Sequence, residues 1–460
     1  MKLSKVDITY FRCFESLSIP LQPDVNVFVG INGAGKTAIL DAIAIALWDI
    51  VAANGGGGKR ERDAQHVLLR PSDIYVPPGE GAKKPDFVQV RASAGDFYVV
   101  PGFTRGEDES VGRLVEWQEH IRIRQPQNFD YDNRNSEGLS ELYKYFESLW
   151  DEIRTTGPEA LVPLPVVAYY RAQRRLNEMP ELGEIFSRSL DRHGAFQGAL
   201  NAGANYRAMC QWFYLRENQE LREKVQTQKD ANFEMPDLKA VRLAIFDTVE
   251  NVERIFFDGT PPRLKVALGS HNGAGQVLEL EQLSDGYRNL LAVVLDFARR
   301  LAQANPNFKN PLEAPGILLI DEIELHLHPR WQQTVIPRLR KVFPNTQLLV
   351  TTHSPQVLTT VDRRNIFILK DLKLFSPNVG TYGSESSHML EEVLQTGSRP
   401  PDNKNAESIR ELYRLINSGE LAEASALRKE LASSMGSAEP ALLEAEAIIR
   451  NREWERELNL

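Results

Sequence analysis

The chain has few of the features that build a disulfide framework or a membrane anchor. Only two cysteines, Cys13 and Cys210, occur among its 460 residues, so no set of disulfide bonds is implied. The longest apolar runs, around 289–298 and 315–320, are short and bounded by charge or proline, and no run is expected to span a bilayer. The first residues lack the apolar run of a signal peptide. We therefore expect a cytoplasmic protein with no membrane partner.

Excess positive charge is also missing. The 54 Lys and Arg residues against 63 Asp and Glu residues give a formal net charge of −9. This balance argues against bulk attraction to nucleic acid, because binding to phosphate backbones needs local positive charge. Basic clusters such as Arg338, Arg340 and Lys341 leave a local nucleic-acid contact open, although solvated faces or nucleotide-site arginines explain them more simply.

A glycine-rich loop follows the strongly apolar stretch Val25–Val29 and precedes an apolar helical run. In this order, strand, loop and helix form a phosphate-binding loop. The glycines let backbone N–H groups surround a phosphate chain, and the helix N-terminus favours the same anion. Lys36 would reach the β- and γ-phosphates, and Thr37 would offer its hydroxyl to Mg²⁺. The predicted nucleotide contacts of this segment are Gly30, Asn32, Gly33, Ala34, Gly35, Lys36, Thr37 and Ala38.

Alternating and continuous apolar patterns predict an α/β chain. The main predicted strands are 5–11, 25–29, 163–170, 317–320 and 347–351, and the main predicted helices are 38–50, 286–303 and 329–342. From about 180 to 257, charges mix with apolar residues at helical spacing, which indicates a helical insertion. After about 375 the chain is mostly helical. Two amphipathic faces there need apolar cover, from a partner protein or from the rest of the chain.

Four short motifs follow the insertion: Leu283–Tyr287, Ile317–Glu322, Leu325–Pro329 and Thr351–Pro355. In the second motif an apolar strand ends in Asp321 and Glu322, carboxylates that can hold Mg²⁺ and activate water. Each motif is weak by itself. A serine before a helix often only caps it, acidic helix entries are common, and a single histidine usually packs or caps.

Together with the phosphate-binding loop, these motifs resemble the ABC-type ATPase heads, where Walker A, signature, Walker B, D-loop and switch histidine occur in this order. The wide gap between loop and signature, and the segment Phe11–Phe14, resemble the branch that contains RecF, Rad50, SMC heads and OLD-like ATPases. The resemblance implies a two-lobed α/β P-loop head. Its expected parts are ATPase lobe I at 1–178, a helical insertion at 179–258, lobe II at 259–375 and a helical C-terminal region at 376–460.

This resemblance also implies ATP and Mg²⁺ as cofactors and assigns the acting residues. Asp321 would support Mg²⁺ together with Thr37. Glu322 would be the general base for water, and His353 would sense or stabilise the γ-phosphate beside Lys36. Glu322, His353 and Lys36 are therefore the expected catalytic positions of a protomer's own site, and Thr37 and Asp321 are expected metal ligands.

Further positions follow from the same resemblance. Ser284 and Gly286 of the signature would complete the site of a second protomer, which implies a homo-oligomer. Arg12 is expected near the nucleotide, and Gln173 is the candidate for the Q-loop contact with nucleotide and metal. The signature departs from the transporter form, because Asp285 and Tyr287 replace the usual Gly and Gln, and this puts the turnover rate in doubt.

Three further sequence segments resemble the ATPase subunits of Septu antiviral systems, the PtuA family, and related ATPases of some retron systems. The segments that carry it are Leu283–Asn289, Trp331–Gln333 and the stretch that begins at Thr381. The resemblance implies a bacterial defence ATPase that controls a small HNH-type nuclease subunit through ATP-dependent association, with nucleic acid as a possible component of the complex.

Other functions compete with this interpretation. A RecF- or Rad50-like repair ATPase that clamps DNA stays open, although the short insertion and the acidic charge weaken it. A self-sufficient nuclease is disfavoured, because the residues after His353 contain no Asp-x-Asp pair and the eight histidines form no HNH-like cluster. A transport ATPase is least favoured, since the gap between the lobes is wide and no membrane segment is expected.

Overall fold

The computed structural model describes residues 1–55, 69–79, 83–98, 114–125, 128–131, 137–157, 159–172, 190–201, 206–226, 233–260, 262–269, 275–397 and 399–457. The chain divides into two compact units, Met1–Ser386 and Ser387–Leu460. The first is a mixed α/β unit and the second is helical, so the predicted fold class is confirmed. The division into two lobes, an insertion and a tail stays a prediction.

The strands in chain order are β1 (Lys2–Phe11), β2 (Phe14–Pro20), β3 (Val25–Val29), β4 (Phe87–Gly95), β5 (Val115–Gln125), β6 (Asn128–Tyr131), β7 (Val166–Tyr170), β8 (Val252–Asp258), β9 (Arg263–Leu268), β10 (Gln276–Glu279), β11 (Gly316–Ile320), β12 (Thr346–Thr352), β13 (Ile366–Lys370) and β14 (Lys373–Phe375). The α-helices are α1 (Lys36–Ala46), α2 (Trp48–Asn54), α3 (Glu137–Thr156), α4 (Tyr206–Gln226), α5 (Pro236–Thr248), α6 (Asp285–Ala304), α7 (Pro329–Gln332), α8 (Val335–Val342), α9 (Pro355–Leu358), α10 (Ser386–Glu392), α11 (Lys404–Ser418), α12 (Leu421–Met435) and α13 (Pro440–Glu457).

A six-stranded sheet in the order β14-β13-β3-β12-β11-β7 forms the core of the first unit. Its strands pair in parallel except for β14, which is antiparallel to β13. Every residue of β3, β7, β11 and β12 is buried, as expected for parallel strands covered on both faces. The carboxyl ends of these strands share one edge, where ligands usually bind in such sheets. The predicted site motifs follow β3, β11 and β12 at that edge.

Two antiparallel sheets accompany the parallel one, in the orders β2-β1-β4-β5-β6 and β10-β9-β8. Side chains attach the first of them to the rest of the unit. Trp117 donates its indole N–H to the carbonyl of Ala46 at the end of α1, at 2.7 Å. The amide of Gln347 on β12 accepts from the N–H of Leu3 and donates to the carbonyl of Leu3, both at 2.8 Å. Helix α1 and strand β12 are thus each joined to the first antiparallel sheet by side-chain hydrogen bonds.

Several sequence expectations were wrong in detail. The helix expected at 38–50 is two helices that meet at Leu47, and the helix expected at 329–342 is also two, α7 and α8. The helical spacing expected to continue to about 257 ends at Thr248, after which Asn251 adopts a positive φ of 61° and the chain enters β8. The segment Lys36–Asn54 is long and apolar enough to cross a membrane, contrary to expectation, but 78% of it is buried inside the fold, as in the core helix of a globular protein.

The second unit builds a small apolar core of its own. The two amphipathic faces that the sequence left uncovered meet there: Ile409, Leu412 and Ile416 of α11 are buried in one cluster with Leu442 and Ile449 of α13. Leu412 and Leu442 are both fully buried. Because these faces cover one another, they give no reason to expect a partner protein at this position.

Candidate functional site

The loop at 30–37, called the phosphate loop below, has a backbone that requires glycine at two positions. Gly33 and Gly35 adopt positive φ angles of 78° and 104°. A Cβ atom on Gly35 would lie 2.6 Å from a ring atom of Phe14 and 2.9 Å from the Cys13 Sγ atom. Gly35 is also the N-cap of α1. The loop therefore curves over the N-terminus of a helix with no side chain in the way, as anion binding requires.

Lys36 begins α1 and turns back over the loop. Its Nζ atom donates to the carbonyls of Gly30 at 2.9 Å and Ile31 at 3.0 Å. Burial lowers the pKa of Lys36, while the carboxylates of Asp321 and Glu322 act in the opposite direction. The ammonium group thus lies within the phosphate loop and near two acids, where a bound phosphate chain would offset its charge.

Thr37, Asp321 and Thr351 form a cluster of oxygen atoms. The Thr37 hydroxyl donates to Asp321 Oδ2 at 2.9 Å, and the Thr351 hydroxyl donates to Asp321 Oδ1 at 2.6 Å. The Asp321 N–H donates to the carbonyl of Tyr170 at 2.8 Å, which fixes the acid at the end of β11. One carboxylate and one hydroxyl beside a phosphate loop fit Mg²⁺, which takes few protein ligands and completes its shell with phosphate oxygens and water. Within the described residues, no cluster of three or more His, Cys, Asp or Glu side chains offers a different metal site.

Glu322 follows Asp321 in a left-handed backbone conformation, with φ at 49°. Its N–H donates to the Thr351 hydroxyl at 2.8 Å. This conformation is costly for a residue other than glycine, and such strain is usually maintained at functional sites. Thr351 therefore supports both acids of the pair, since it holds the Asp321 carboxylate and the Glu322 backbone.

His353 follows β12, on the same sheet edge as the phosphate loop. Burial lowers its pKa, and so does the positive charge of Lys36, whereas the nearby acids oppose this change. The imidazole is therefore neutral near pH 7 and retains one N–H donor and one acceptor. The backbone N–H of His353 donates to Glu324 Oε1 at 2.6 Å.

The signature residues lie at the start of α6. Ser284 is the exposed N-cap of this helix, but its side chain makes no capping hydrogen bond. Gly286 is buried, and a Cβ atom there would lie 2.4 Å from the carbonyl oxygen of His326. The Tyr287 ring meets the Trp331 ring edge-on, with 4.4 Å between the centroids. The signature thus packs directly against the segment at 323–328, which overlaps the predicted D-loop motif Leu325–Pro329, and its contact with a second protomer stays a prediction.

Arg12 pairs with acids of its own chain. It donates to Asp41 at 2.5 Å and to Asp73 at 2.9 Å. Asp41 lies on α1 and also accepts from the Tyr169 hydroxyl at 2.7 Å and from Arg171 at 2.5 Å. Arg12 is therefore close to the helix that carries the phosphate loop, and its nucleotide contact stays a prediction.

Of the other predicted contacts, Asn32 is exposed in the phosphate loop, Ala34 donates its N–H to the carbonyl of Ile31 at 3.2 Å, and the Ala38 side chain is buried in α1. Gln173 lies outside the described residues.

The sequence interpretation gave no role to three residues that organise the site: Asp41, Glu324 and Thr351. Thr351 ends a predicted strand beside the predicted switch histidine, and Glu324 stands two positions after the predicted base. The sequence positions of Thr351 and Glu324, close to predicted site residues, therefore indicated that both could belong to the site. Asp41 gave none, because its partners are distant in the chain.

Comparison with known proteins places the chain in a family. A family described as an AAA domain matches residues 5–251, and a second AAA-domain family, whose description names the AbiEii toxin of a type IV TA system, matches residues 207–359. The retron Ec83 probable ATPase of Escherichia coli is 28% identical over 513 residues, covering 99% of this chain and 88% of that protein.

Shorter regions match other proteins. The Septu protein PtuA of Bacillus mycoides is 43% identical over 82 residues, which are 18% of this chain and only 11% of that protein. The DNA replication and repair protein RecF of Heliobacterium modesticaldum is 38% identical over 68 residues, or 15% of this chain and 16% of that protein. Among solved structures, an Smc head bound to the C-terminal winged-helix domain of ScpA covers 82% of this chain and 98% of its own, with a TM-score of 0.45 and 16% identity. The resemblance to the branch that contains RecF, and to the Septu and retron ATPases, is confirmed by the sequence relatives.

Proposed function

Because the chain belongs to the AAA-domain family that matches residues 5–251, we propose that it binds ATP with Mg²⁺ and hydrolyses it to ADP and phosphate. The observation that carries this proposal is the hydrogen bond between Thr37 and Asp321. It brings the phosphate loop and the acidic end of β11 together at 2.9 Å. An ATPase needs both parts side by side, since one holds the phosphates and the other supports the metal.

Each residue of the site then has its own role in ATP hydrolysis. Lys36 offsets the charge of the β- and γ-phosphates from its position inside the loop. Thr37 and Asp321 would hold Mg²⁺, which when bound neutralises charge that develops on the phosphate oxygens. Glu322 accepts a proton from the attacking water at its carboxylate. His353, neutral near pH 7, donates a ring N–H to the γ-phosphate.

The proposal extends to the biological setting. An alignment over 99% of the chain with a retron ATPase, and local identity of 43% with a Septu protein, support an ATPase of a bacterial antiviral defence complex. In this complex it would act in the cytoplasm as a homo-oligomer and control a small HNH-type nuclease subunit, with nucleic acid as a possible further component. The exposed signature serine, whose side chain makes no capping hydrogen bond to its own helix, supports a site shared between protomers.

Single-turnover hydrolysis by Glu322→Gln tests the proposed chemistry. The amide has nearly the same shape but cannot accept the proton, so the rate should fall roughly 10²–10⁴-fold while ATP binding is retained. Glu430→Gln, on an exposed helix face of the second unit, is the matched control. A loss under tenfold would place the base elsewhere.

Cleavage assays test the proposed partner. The purified chain alone should leave DNA and RNA intact, and added HNH-type subunit should produce cleavage that responds to ATP. Metal-dependent cleavage by the chain alone, abolished by a point mutation within it, would overturn the proposal. DNA-stimulated ATP hydrolysis with no effect of the nuclease subunit would favour the DNA-clamping alternative.

A further inference from the structure

Both carboxylate oxygens of Glu324 accept hydrogen bonds from the segment that carries His353. Oε2 accepts from the Thr352 hydroxyl at 2.7 Å, and Oε1 accepts from the His353 N–H at 2.6 Å. Such charge-assisted bonds are among the stronger ones in proteins, and two from one carboxylate restrict both position and rotation. Glu324 is half-buried, so these bonds are partly shielded from water.

A second connection joins the same two segments. The amide of Gln332, on α7, donates to the carbonyl of Leu327 at 2.8 Å and accepts from the Ser354 hydroxyl at 2.6 Å. The segment at 323–328 and the loop at 352–354, called the switch loop below, are therefore linked at two places, by Glu324 on one side and Gln332 on the other.

The same segment also contacts the signature. The carbonyl of His326 lies so close to Gly286 that no side chain fits between them. Any displacement of the 323–328 segment would therefore act on the signature helix and, through Glu324, on His353. Because both oxygens of the Glu324 carboxylate accept hydrogen bonds, it is poorly placed to accept a proton from water.

We propose that Glu324 is a positioning residue for His353: it fixes the backbone of the switch loop so that the imidazole faces the phosphate loop. This inference rests on the proposed ATP hydrolysis. It predicts that Glu324 acts on the chemical step only through His353. If the Glu324 carboxylate only stabilised the fold, its removal would lower the hydrolysis rate whether or not His353 is present.

A double-mutant cycle separates these two roles. Glu324→Ala, His353→Ala and the double variant are compared by single-turnover hydrolysis and by ATP titration. Glu324→Ala should lower the rate roughly 10–100-fold, the expected effect of a misplaced catalytic group, with ATP affinity nearly unchanged. In the His353→Ala background it should have no further effect. Glu324→Gln, which keeps one acceptor oxygen, should restore part of the rate. Losses that multiply in the double variant, or a change in ATP affinity alone, would overturn the proposal.

Hydrogen–deuterium exchange provides a readout that needs no hydrolysis. Glu324→Ala should accelerate exchange at the His353 amide, whereas Glu430→Ala should leave it unchanged. Unchanged exchange in Glu324→Ala would overturn the positioning role even if the chain is an active ATPase. Conversely, a wild-type chain that hydrolyses no ATP would refute the proposed function, and the exchange result would still decide whether Glu324 holds the switch loop.

Discussion

Thr37 and Asp321 are 284 positions apart in the sequence, yet a 2.9 Å hydrogen bond joins their side chains. The first follows β3 and the second follows β11, and β12, which lies between these strands, contributes Thr351 to the same carboxylate. The site is therefore made by three neighbouring strands and by no continuous piece of chain. A fragment limited to residues 5–251, the region of the family match, would contain the phosphate loop without its acids.

Lys36→Ala should weaken ATP binding about 10–100-fold while leaving the fold intact, because it removes a charged hydrogen-bond donor from the phosphate loop. Calorimetric titration with ATP measures the change. Lys341→Ala is the matched control, since Lys341 is exposed and distant from this loop in sequence. Affinity equal to that of the wild type would refute the assignment of Lys36.

Ser284→Arg should block hydrolysis and still allow nucleotide to bind to the protomer's own phosphate loop. The reason is that Ser284 is exposed at the start of α6, where a partner's nucleotide would meet it. Mixing Ser284→Arg with Lys36→Ala sharpens the test. In a two-site dimer, one site of the mixed species combines two intact halves, so hydrolysis should reappear. The absence of both ATP-dependent association and recovered hydrolysis would contradict a shared site.

Asp296→Ala should destabilise the first unit strongly. Asp296 is fully buried on α6 and accepts from the buried Arg299, Arg300 and the Tyr170 hydroxyl. Burial alone would raise the pKa of Asp296, but the two arginines hold it well below its ordinary value. Removing the carboxylate leaves two buried guanidinium groups uncompensated, at a cost of about 3–5 kcal/mol.

Thermal unfolding provides the comparison for Asp296. Asp285→Ala, which breaks an exposed ion pair with Arg288 on the same helix, should cost at most about 1 kcal/mol. Similar shifts in unfolding temperature for the two variants would show that burial of the Asp296 cluster does not govern stability.

His353 should make stability depend on pH on the acidic side. Its pKa is lowered in the fold from an ordinary value of 6.5, by burial and by Lys36. The unfolded chain then binds more protons between the two pKa values, so stability rises with pH through that window and is fully present above about pH 6.5. His353→Gln lacks this dependence. The unfolding temperature of the wild type should therefore fall relative to that variant as pH drops below 6.5, and a constant difference would contradict the lowered pKa.

Motifs that are local in sequence could be predicted, because a strand, a glycine loop and a helix set their own geometry. This holds for Gly35 and Lys36, and the continuous apolar run before Asp321 correctly predicted a buried strand. Contacts that depend on tertiary packing could not be predicted. The ion pair of Arg12 with Asp41 and the hydrogen bond from the His353 N–H to Glu324 both join segments that are distant in the sequence. The first residues of β8 were misassigned to the helical segment because helical apolar spacing continues in the sequence past α5, and the turn at Asn251 breaks that pattern.

The place of β3 in the central sheet has a consequence for synthesis of the protein. Its two neighbours are β12 and β13, so the strand that leads into the phosphate loop emerges from the ribosome long before either partner exists. At about 5–20 residues per second, the delay is roughly 15–60 s. During that time this apolar strand has no partner strand, and unpaired apolar strands favour aggregation of a nascent chain. A polypeptide truncated before β12 would therefore contain the phosphate loop but lack both strands that pair with β3.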